Sequence, residues 1–269
     1  MKRFFKIFKL FLAGILTIYS ALIIYFLFFS PLERRFDLAA HMQDGYLSQS
    51  LFEILKFQDP SNDEIYFEQS VPFNKRGDHQ KAYSLLDKAV ELNPKMHLGY
   101  RGYMNLRFLR NYKAALKDFD RLDTLTPDVV DTPWGEDIDF LRGECYFGLE
   151  KFEKAKKHFQ QSIRNQGEEW IDVQAFVYAG LCEYNLGHFK EAKRYYKKAL
   201  DNSKYTVEAH LELARIYIEE NDPESAISHL EKAEKYFNYK RDDPYNEYLN
   251  EIYRSDITLL KDAVGNLDI

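Results

Sequence analysis

Two clusters of carboxylates are the groups in this sequence best placed for acid–base chemistry. The segments 136–139 (EDID) and 219–222 (EEND) each hold three acidic side chains within four residues. Two neighbouring carboxylates can divide the roles of general acid and general base. Both clusters, however, fall at turns or at the ends of helical patterns, where acidic side chains are usually solvated and complement the dipole of a helix N-terminus. We therefore expect solvated surface groups and no catalytic residue.

Other catalytic and ligand-binding motifs are absent from the sequence. It contains no nucleophile elbow, no phosphate-binding glycine loop and no kinase-like set. The seven histidines are scattered and form no metal-binding pair. We therefore predict no metal site, no cofactor, no small-molecule substrate and no enzymatic activity.

The two cysteines, Cys145 and Cys182, are too few for a disulfide framework. They lie ten residues before Ala155 and Ala192, at equivalent places on two neighbouring helices of the pattern described below. Axes of packed helices are about 8–10 Å apart, whereas the Cα atoms of a disulfide are about 4.4–6.8 Å apart. We expect two buried thiols; a bridge is the alternative.

The charge of the chain is divided unevenly along its length. Net charge is −6, and the first 30 residues carry four of the 37 basic side chains and no acidic one. The other 239 residues therefore carry 33 basic and 43 acidic side chains. A body with this excess of acid lacks the basic surface of a nucleic-acid-binding protein. We predict no nucleic-acid partner.

Residues 10–29 (LFLAGILTIYSALIIYFLFF) form an unbroken uncharged and mainly apolar run. A helix of this length rises about 30 Å, which matches the hydrocarbon core of a bilayer. A cleaved signal peptide is the alternative. Its apolar region is about 7–15 residues long and ends at a small-residue cleavage site, and neither feature is present before Ser30-Pro31. The sequence favours a retained, single-pass anchor over residues 1–30.

The residues that flank this span predict its orientation. Lys2, Arg3 and two further lysines precede it, whereas only Arg34 and Arg35 follow it closely. Positive charge is retained on the cytoplasmic side of a membrane. We expect a cytoplasmic N-terminus and a body on the outer face, in a bacterial inner membrane facing the periplasm.

A repeated pattern of small and large residues occupies most of the remaining chain. Its reference points are five alanines spaced 33, 40, 37 and 34 residues apart: Ala82, Ala115, Ala155, Ala192 and Ala226. Twelve residues before four of them the residue is small: Ser70, Gly143, Gly180 and Ala214. Four residues after each it is large: Leu86, Phe119, Phe159, Tyr196 and Leu230. Small side chains at fixed offsets allow two helices to approach closely, so the pattern predicts packed helical hairpins.

The clearest hairpin covers residues 173–200, with two helices of about 14 residues and a turn at Leu186-Gly187-His188. A hairpin this short cannot bury its own apolar face and must stack on copies of itself. The segments 77–94 (GDHQKAYSLLDKAVELNP) and 186–200 (LGHFKEAKRYYKKAL) resemble tetratricopeptide repeats. The resemblance implies an all-α fold, a right-handed α-solenoid of about five helical hairpins with a concave groove.

The predicted organisation has four parts. An N-terminal transmembrane anchor (1–30) is followed by a connector (31–61) with a short amphipathic helix, then by the solenoid (62–240) and a C-terminal capping helix (241–269). That helix should begin at Asp243-Pro244 and carry one apolar stripe. The stripe comprises Tyr245, Tyr248, Leu249, Ile252, Tyr253, Ile257 and Leu260.

Three local departures from the repeat are also informative. Pro72 should kink the first helix of the first repeat or delay its start, because proline lacks a backbone N–H. Gly102 lies thirteen residues before its alanine, so the register there is uncertain by one. Six extra residues fall within 128–135, where Thr132-Pro133 should cap and open the next helix.

In proteins that this chain resembles, the first helix of each repeat lines the groove. Positions at i, i+4 and i+7 lie on one side of such a helix. The predicted groove residues are Tyr100, Met104, Arg107, Phe140, Glu144, Phe147, Val177, Leu181, Tyr184 and Arg215. Most are apolar or aromatic, which indicates an exposed surface that binds a protein or peptide partner. The alternative is that the connector or the last helix packs there.

These features together favour a membrane-anchored, non-catalytic scaffold that binds a protein or peptide in envelope assembly or complex organisation. A specific inhibitor or immunity-type protein, which neutralises one enzyme or toxin, is the alternative. Binding of chaperone C-termini is not expected, because Phe67 and Val71 stand where some relatives carry a carboxylate-binding Lys and Asn.

Overall fold

The computed structural model describes residues 2–43, 45–167, 172–243 and 247–266. These residues form α-helices joined by short turns, and no β-strand occurs among them. The all-α prediction is therefore confirmed, and eleven α-helices follow residue 62 in this part of the chain, as predicted. The fold divides into two compact units, Met1–His97 and Leu98–Ile269.

The first unit begins with the apolar segment. Its helices are α1 (Lys2–Phe29), α2 (Leu32–Met42), α3 (Tyr46–Gln58), α4 (Asp63–Lys75) and α5 (His79–Leu92). Within α1, the stretch Phe4–Phe29 is long and apolar enough to cross a membrane, with a mean hydropathy of 2.3. Every side chain of residues 4–25 is exposed.

The last turn of α1 is held by the two helices that follow it. Phe26 and Leu27 pack against the apolar cluster formed by α2 and α3. Arg35 is 4% exposed and donates from Nη1 to the carbonyl oxygen of Leu27 and to Oε1 of Gln58, both at 2.6 Å. A cation at this position satisfies free carbonyl groups and complements the negative end of the helix. Arg35 is therefore a structural cap as well as a flanking charge.

The predicted amphipathic helix is α3, whereas α2 was missed from the sequence. Leu51 and Leu55 of α3 are buried, as its periodicity predicts, and Gln69 of α4 donates to Glu53 of α3 at 2.8 Å. The connector thus covers the first helix of the first hairpin. Asp44, in the predicted break before α3, lies outside the described residues.

The first hairpin consists of α4 and α5. Asn62 caps α4 by accepting a hydrogen bond from the backbone of Glu64 at 3.2 Å, and this cap fixes the start of the helix at Asp63. Pro72 consequently lies in the last turn of α4 instead of in its middle. The predicted late start is wrong, because the cap precedes the proline by ten residues.

The second unit contains the remaining repeats. The helix α6 (Pro94–Arg107) begins in the first unit. It is followed by α7 (Tyr112–Leu125), α8 (Ile138–Gly148), α9 (Phe152–Gln166), α10 (Gln174–Asn185), α11 (Phe189–Asn202), α12 (Val207–Glu219), α13 (Pro223–Lys235) and α14 (Arg254–Gly265). Consecutive helices pack as hairpins: α8 with α9, α10 with α11, and α12 with α13.

The small and large residues of the sequence pattern meet inside these hairpins. A Cβ atom added to the glycine of each pair would lie only 2.4–2.6 Å from an aromatic ring on the following helix. The pairs are Gly102 with Phe119, Gly143 with Phe159, and Gly180 with Tyr196. Gly102 thus occupies the equivalent position despite its offset of thirteen residues. Only glycine permits this close approach of ring to backbone.

The extra residues before α8 fold differently from the prediction. Thr132 and Pro133 open a single 3₁₀ turn, Pro133–Gly135, and the cap of α8 is Asp137. Its carboxylate accepts hydrogen bonds from the backbone of Asp139 and Phe140 at 2.9 and 3.1 Å. Asp137 satisfies two free N–H groups, whereas the side chain of Thr132 makes no capping hydrogen bond.

The C-terminal region contains a shorter helix than predicted. Pro244 and Tyr245 lie outside the described residues, and residues 247–253 are not helical. The helix α14 starts at Arg254, where Tyr253 and Asp256 form a capping box. Ile257 and Leu260 then cover the end of the α12–α13 hairpin, as predicted, together with Ile252 and Val264. The residues that precede α14 lie instead along the concave face.

Candidate functional site

The ten predicted groove residues divide into two groups by burial. Tyr100, Met104, Arg107, Phe140, Glu144 and Val177 are buried. Phe147, Leu181, Tyr184 and Arg215 are half-buried. The expected exposure of Tyr100 and Phe140 is therefore wrong. The ring of Trp134 lies 4.9 Å from that of Tyr100, and Phe140 packs against Phe159 and Tyr178 with the Arg241 guanidinium over its ring.

The strap, which we define as residues 240–243 and 247–250, provides much of this cover. It contacts the first helices of four repeats: Arg107 on α6, Phe140 and Glu144 on α8, Gln174 on α10 and, through the backbone N–H of Arg241, Glu208 on α12. The alternative for the groove, that the connector or the last helix packs there, is correct only in part: Tyr248 and Leu249, which were predicted on the last helix, pack there, but α14 itself does not. The occupant is a non-helical strap instead of a helix.

A buried charge cluster lies at the centre of the concave face. Arg107 donates from Nη1 to Oε1 of Glu144 at 2.5 Å and from Nη2 to Oε2 of Glu136 at 2.6 Å. The side chains of Arg107 and Glu144 have no solvent exposure. Burial opposes the charge of Arg107, but Glu144 and Glu136 outweigh it and raise the pKa of the guanidinium above its ordinary value. The cluster therefore retains a cation with two carboxylates.

Arg241 of the strap adds a second guanidinium to this cluster. Its Nη2 atom lies 3.1 Å from Oε2 of Glu136 and 3.9 Å from Oδ2 of Asp172, and its Nη1 atom lies 3.9 Å from Oε1 of Glu144. Burial acts against this charge, yet Glu144, Asp172 and Glu136 raise the pKa of Arg241. The strap thus supplies a cation that the acidic side of the cluster attracts.

The ring of Tyr248 lies within range of both guanidinium groups. The Cζ atom of Arg241 lies 3.7 Å from the ring centroid, and that of Arg107 lies 4.9 Å from it. Cation–π contacts of this kind stabilise by about 0.5–2 kcal/mol, and the larger values occur where water is excluded. The ring of Tyr248 therefore stabilises the guanidinium groups of Arg107 and Arg241, whose like charges repel each other.

Several polar contacts fix the path of the strap. The backbone N–H of Arg241 donates to Oε1 of Glu208 at 3.0 Å, and Nδ2 of Asn250 donates to Oε1 of Gln174 at 2.9 Å. Arg110 donates to the carbonyl oxygen of Glu247. Burial raises the pKa of Glu208, and the hydrogen bonds that its carboxylate accepts lower it only in part. The repeats thus hold a non-helical segment by its backbone as well as by its side chains.

The far end of the concave face is more open. Leu249 of the strap, like Phe147 and Leu181, packs against the apolar core that includes Phe140 and Val177. A cavity of about 270 Å³ lies beside it, lined in part by Leu211 and Arg215. The strap therefore leaves part of the groove between α10 and α12 unfilled.

Comparison with known proteins identifies the repeats. Residues 140–168 and 185–238 match family models described as tetratricopeptide repeat. The matched segments, which cover most of α8 and α9 and the helices α11 to α13, are tetratricopeptide repeats. No curated protein matches the chain at the level of sequence.

Solved structures share the fold of these tetratricopeptide repeats. PilW, described as a widely conserved type IV pilus biogenesis factor, is 17% identical, with a TM-score of 0.59 over 77% of this chain and 94% of its own. MamA is 20% identical, with a TM-score of 0.54 over 64% and 90%. YrrB, described as a tetratricopeptide repeat protein with an unusual peptide-binding site, is 18% identical, with a TM-score of 0.53 over 69% and 91%.

Catalytic chemistry has little support in these repeats. Cys145 and Cys182 are free and buried, and burial raises the pKa of both thiols, which keeps them protonated and poorly nucleophilic. Within the described ranges, no group of three or more His, Cys, Asp or Glu side chains is placed to hold a metal ion. The concave face holds a non-helical segment of the same chain.

The sequence did not reveal the residues that occupy the tetratricopeptide groove. Arg241 and Tyr248 lie outside the repeats, and Glu136 belongs to an acidic cluster interpreted as solvated surface. One signal was available: Arg107 and Glu144 are charged residues within a predicted groove whose other members, Arg215 apart, are apolar or aromatic. Buried charges require partners, so this pair was a sign that the face is covered.

Proposed function

We propose that this chain is a membrane-anchored, non-catalytic adaptor whose tetratricopeptide repeats bind an extended segment of a protein partner on their concave face. Its parts are the anchor (1–30), the connector (31–61), the repeats (62–240) and the C-terminal region (241–269). The observation that supports binding is the strap itself. The groove already holds a non-helical peptide through the Glu208 carboxylate, the Gln174 amide and the apolar contacts of Leu249.

The half-buried residues are the proposed first contact for a partner. Phe147, Leu181, Tyr184 and Arg215 border the cavity or lie next to it and keep part of their surface accessible. Burying a Leu or an aromatic side chain contributes about 1.5–3 kcal/mol. Aromatic residues and arginine are also the side chains most often critical at interfaces. In the buried group, Tyr100, Met104, Arg107, Phe140, Glu144 and Val177 would shape the floor beneath.

Retention of the anchor is supported by its contacts with the connector. Phe26 and Leu27 belong to the same cluster as Leu51 and Phe52, and Arg35 caps the end of α1. Cleavage near Ser30 would remove part of this cluster and leave the buried Arg35 without a carbonyl partner. We therefore propose a retained single-pass helix, with the N-terminus in the cytoplasm and the repeats on the periplasmic side of a bacterial inner membrane.

The proposed setting is the assembly or organisation of an envelope complex. The periplasmic placement and the shared fold with PilW, a pilus biogenesis factor by its description, motivate this setting. Neither a nucleic acid nor a small molecule is part of the proposal, since the body is acidic and its groove is occupied by peptide.

Copurification from detergent extracts tests the adaptor proposal. The full chain should capture envelope proteins. Leu181→Glu should abolish that capture, because it places a charge among the half-buried groove residues proposed to contact the partner first. Lys190→Glu, on an exposed position of α11, is the matched control and should leave capture unchanged. Equal capture by both variants would contradict the proposal. One stoichiometric partner that loses its activity on binding would instead support an inhibitor.

A further inference from the structure

The charge cluster on the concave face binds the guanidinium group of Arg241. Without Arg241, the carboxylates of Glu136, Glu144 and Asp172 would face the single cation of Arg107. Glu144 has no solvent exposure, so water cannot compensate an excess of negative charge there. The site therefore requires a second cation, and the strap supplies it from outside the repeats.

The fit of Arg241 in this cluster is incomplete. Of its three carboxylate neighbours, only Glu136 lies within hydrogen-bond distance, whereas Glu144 and Asp172 are 3.9 Å away. Among the described residues, Nη1 of Arg241 has no hydrogen-bond acceptor, and the carboxylate of Glu144 has the buried hydroxyl of Tyr178 beside it instead of Arg241. Buried polar atoms without partners are unfavourable. A guanidinium that reached slightly deeper would bind both carboxylates better than the chain's own residue does.

The helix α14 is held by apolar contacts that the strap does not share. It packs on α13 and α12 through Ile257 and Val264, and Ile252 joins the same cluster, whereas residues 240–243 and 247–250 do not belong to it. Polar bonds do join the strap to the residues before α14: Glu251 accepts from Lys240 and from the backbone of Tyr248, and Tyr253 donates to Glu247. Release of the strap with α14 in place therefore requires these bonds to break or to move with it.

We propose that the partner segment carries an arginine and a nearby aromatic residue, as the strap does, and that it binds by displacing the strap. This inference rests on the proposed function and adds the chemistry of the partner. The partner's guanidinium takes the place of Arg241 between Glu136 and Glu144, and its ring takes the place of Tyr248 against Arg107. An aliphatic residue next to the ring occupies the Leu249 position and extends into the adjacent cavity.

A peptide with the sequence of residues 240–250 (KRDDPYNEYLN) is the probe for this exchange. Binding of the fluorescent peptide to the full chain in detergent is measured by anisotropy. Arg241→Ala/Tyr248→Ala should bind it at least tenfold more tightly than the unchanged chain, because the internal competitor is weakened. A peptide with alanine at the same two positions should lose this binding. Tyr239→Ala/Arg254→Ala, which changes residues on both sides of the strap, is the control and should bind like the unchanged chain.

A second variant keeps the test informative if the double alanine variant unfolds. Arg241→Lys retains the charge but loses the planar fork that can bind two carboxylates, so it should loosen the strap and bind the peptide a fewfold more tightly. Absence of peptide binding by folded variants would overturn the inference and make the strap a permanent part of the core. Concentration-dependent dimers of the unchanged chain that exchange straps would also overturn it, since the occupant would then be a second copy.

The outcomes separate this inference from the proposed function. Loss of partner capture in Leu181→Glu without any peptide binding would leave the adaptor proposal intact and remove only the displacement of the strap. Peptide binding without groove-dependent capture would contradict the adaptor proposal itself.

Discussion

The guanidinium of Arg107 and the carboxylate of Glu144 form an ion pair, 2.5 Å between Nη1 and Oε1, that is closed to solvent on both sides. Removing one member of a buried pair leaves an uncompensated charge and destabilises by about 3–5 kcal/mol. Since Arg107 also binds Glu136, Arg107→Met leaves two carboxylates without their main partner, whereas Glu144→Gln leaves Arg107 paired. We predict a loss in this range for Arg107→Met and a smaller one for Glu144→Gln, measured by urea unfolding. Equal losses below about 1 kcal/mol would mean that the cluster is hydrated.

The contact between Gly180 and the ring of Tyr196 gives a second prediction. A Cβ atom at Gly180 would lie 2.4 Å from a ring carbon, so Gly180→Ala must push the aromatic residue out of its place. Overpacking of this kind destabilises by about 1–3 kcal/mol. Thermal unfolding by circular dichroism measures the loss. Gly265→Ala is the control, because a Cβ atom there meets nothing within 4 Å, and its midpoint should be unchanged.

This contact also shows which parts of the fold could be predicted from the sequence. Small residues at fixed offsets predicted the hairpins because the distance between two packed helices depends directly on side-chain size at the crossing. Helix caps were less certain. Asp222, directly before Pro223, caps α13 and accepts a hydrogen bond from the backbone of Ser225 at 3.1 Å, whereas the cap of α8 is Asp137 instead of the predicted Thr132. Two candidate caps five residues apart cannot be distinguished by local sequence alone.

The groove was less predictable because its state depends on residues far away in the chain. Phe140 and Arg241 are 101 positions apart, and no local pattern links them. Apolar residues on the first helices predict an apolar face, but they do not reveal whether that face is open or covered. The helix predicted over residues 247–253 is absent for the same reason. Tyr248 and Leu249 contact residues distant in the sequence, and these contacts hold the segment in a non-helical conformation.

The paired imidazoles of His210 and His229 predict a pH dependence of stability. Nε2 of His210 donates to the carbonyl oxygen of Lys204 at 3.1 Å, so Nδ1 of His210 accepts from Nδ1 of His229 at 3.0 Å and His210 is the neutral ring of the pair. Burial, together with the charges of His210 and Lys232, lowers the pKa of His229 to about 4. In the unfolded chain His229 therefore becomes protonated near pH 6.5, whereas in the folded chain it stays neutral down to about pH 4. This term is fully favourable above pH 6.5 and is lost as the pH falls towards 4, by up to about 3 kcal/mol.

Comparison with His229→Asn separates the imidazole pair, whose other member His210 also has a pKa lowered by burial, from the other titrating groups. Glu136, Glu208 and Glu212 have raised pKa values, so their contributions change in the opposite direction as the pH falls. The difference in unfolding free energy between the unchanged chain and the variant should therefore shrink from pH 7.5 to pH 4.5. A difference that is independent of pH would exclude His229 as the titrating group.

The proposed topology makes a fourth prediction. A reporter that is active only outside the cytoplasm, fused after residue 269, should be active in a bacterial host, because Lys2, Arg3 and the two lysines beyond them retain the N-terminus inside. Intact mass of the purified chain should show an uncleaved N-terminus. Replacing these four basic residues with serine is the control and should reduce reporter activity. Activity of a cytoplasmic reporter alone would place the repeats on the opposite side.

Phe140 and Tyr184, both predicted as groove residues, should behave differently when replaced. Phe140 is 2% exposed, and its ring packs 5.6 Å from that of Phe159 and 5.8 Å from that of Tyr178. Phe140→Ala should therefore destabilise the fold by about 3–5 kcal/mol, mainly through the cavity that it leaves. Tyr184 is half-buried at the open end, and its hydroxyl donates to Glu219 on α12. Tyr184→Ala should have a much smaller effect on unfolding.

The same two variants separate folding from binding. Tyr184→Ala should weaken capture of the partner while its unfolding midpoint stays close to that of the unchanged chain, because its ring borders the surface that a partner must cover. Phe140→Ala should lose capture only to the extent that it loses structure, so capture per folded molecule should be retained at low temperature. Tyr184→Phe, which keeps the ring and loses the hydrogen bond to Glu219, is the matched control and should retain most of the binding. If Tyr184→Ala binds the partner normally, the binding surface lies elsewhere, and the exposed Trp134 loop would be the next candidate.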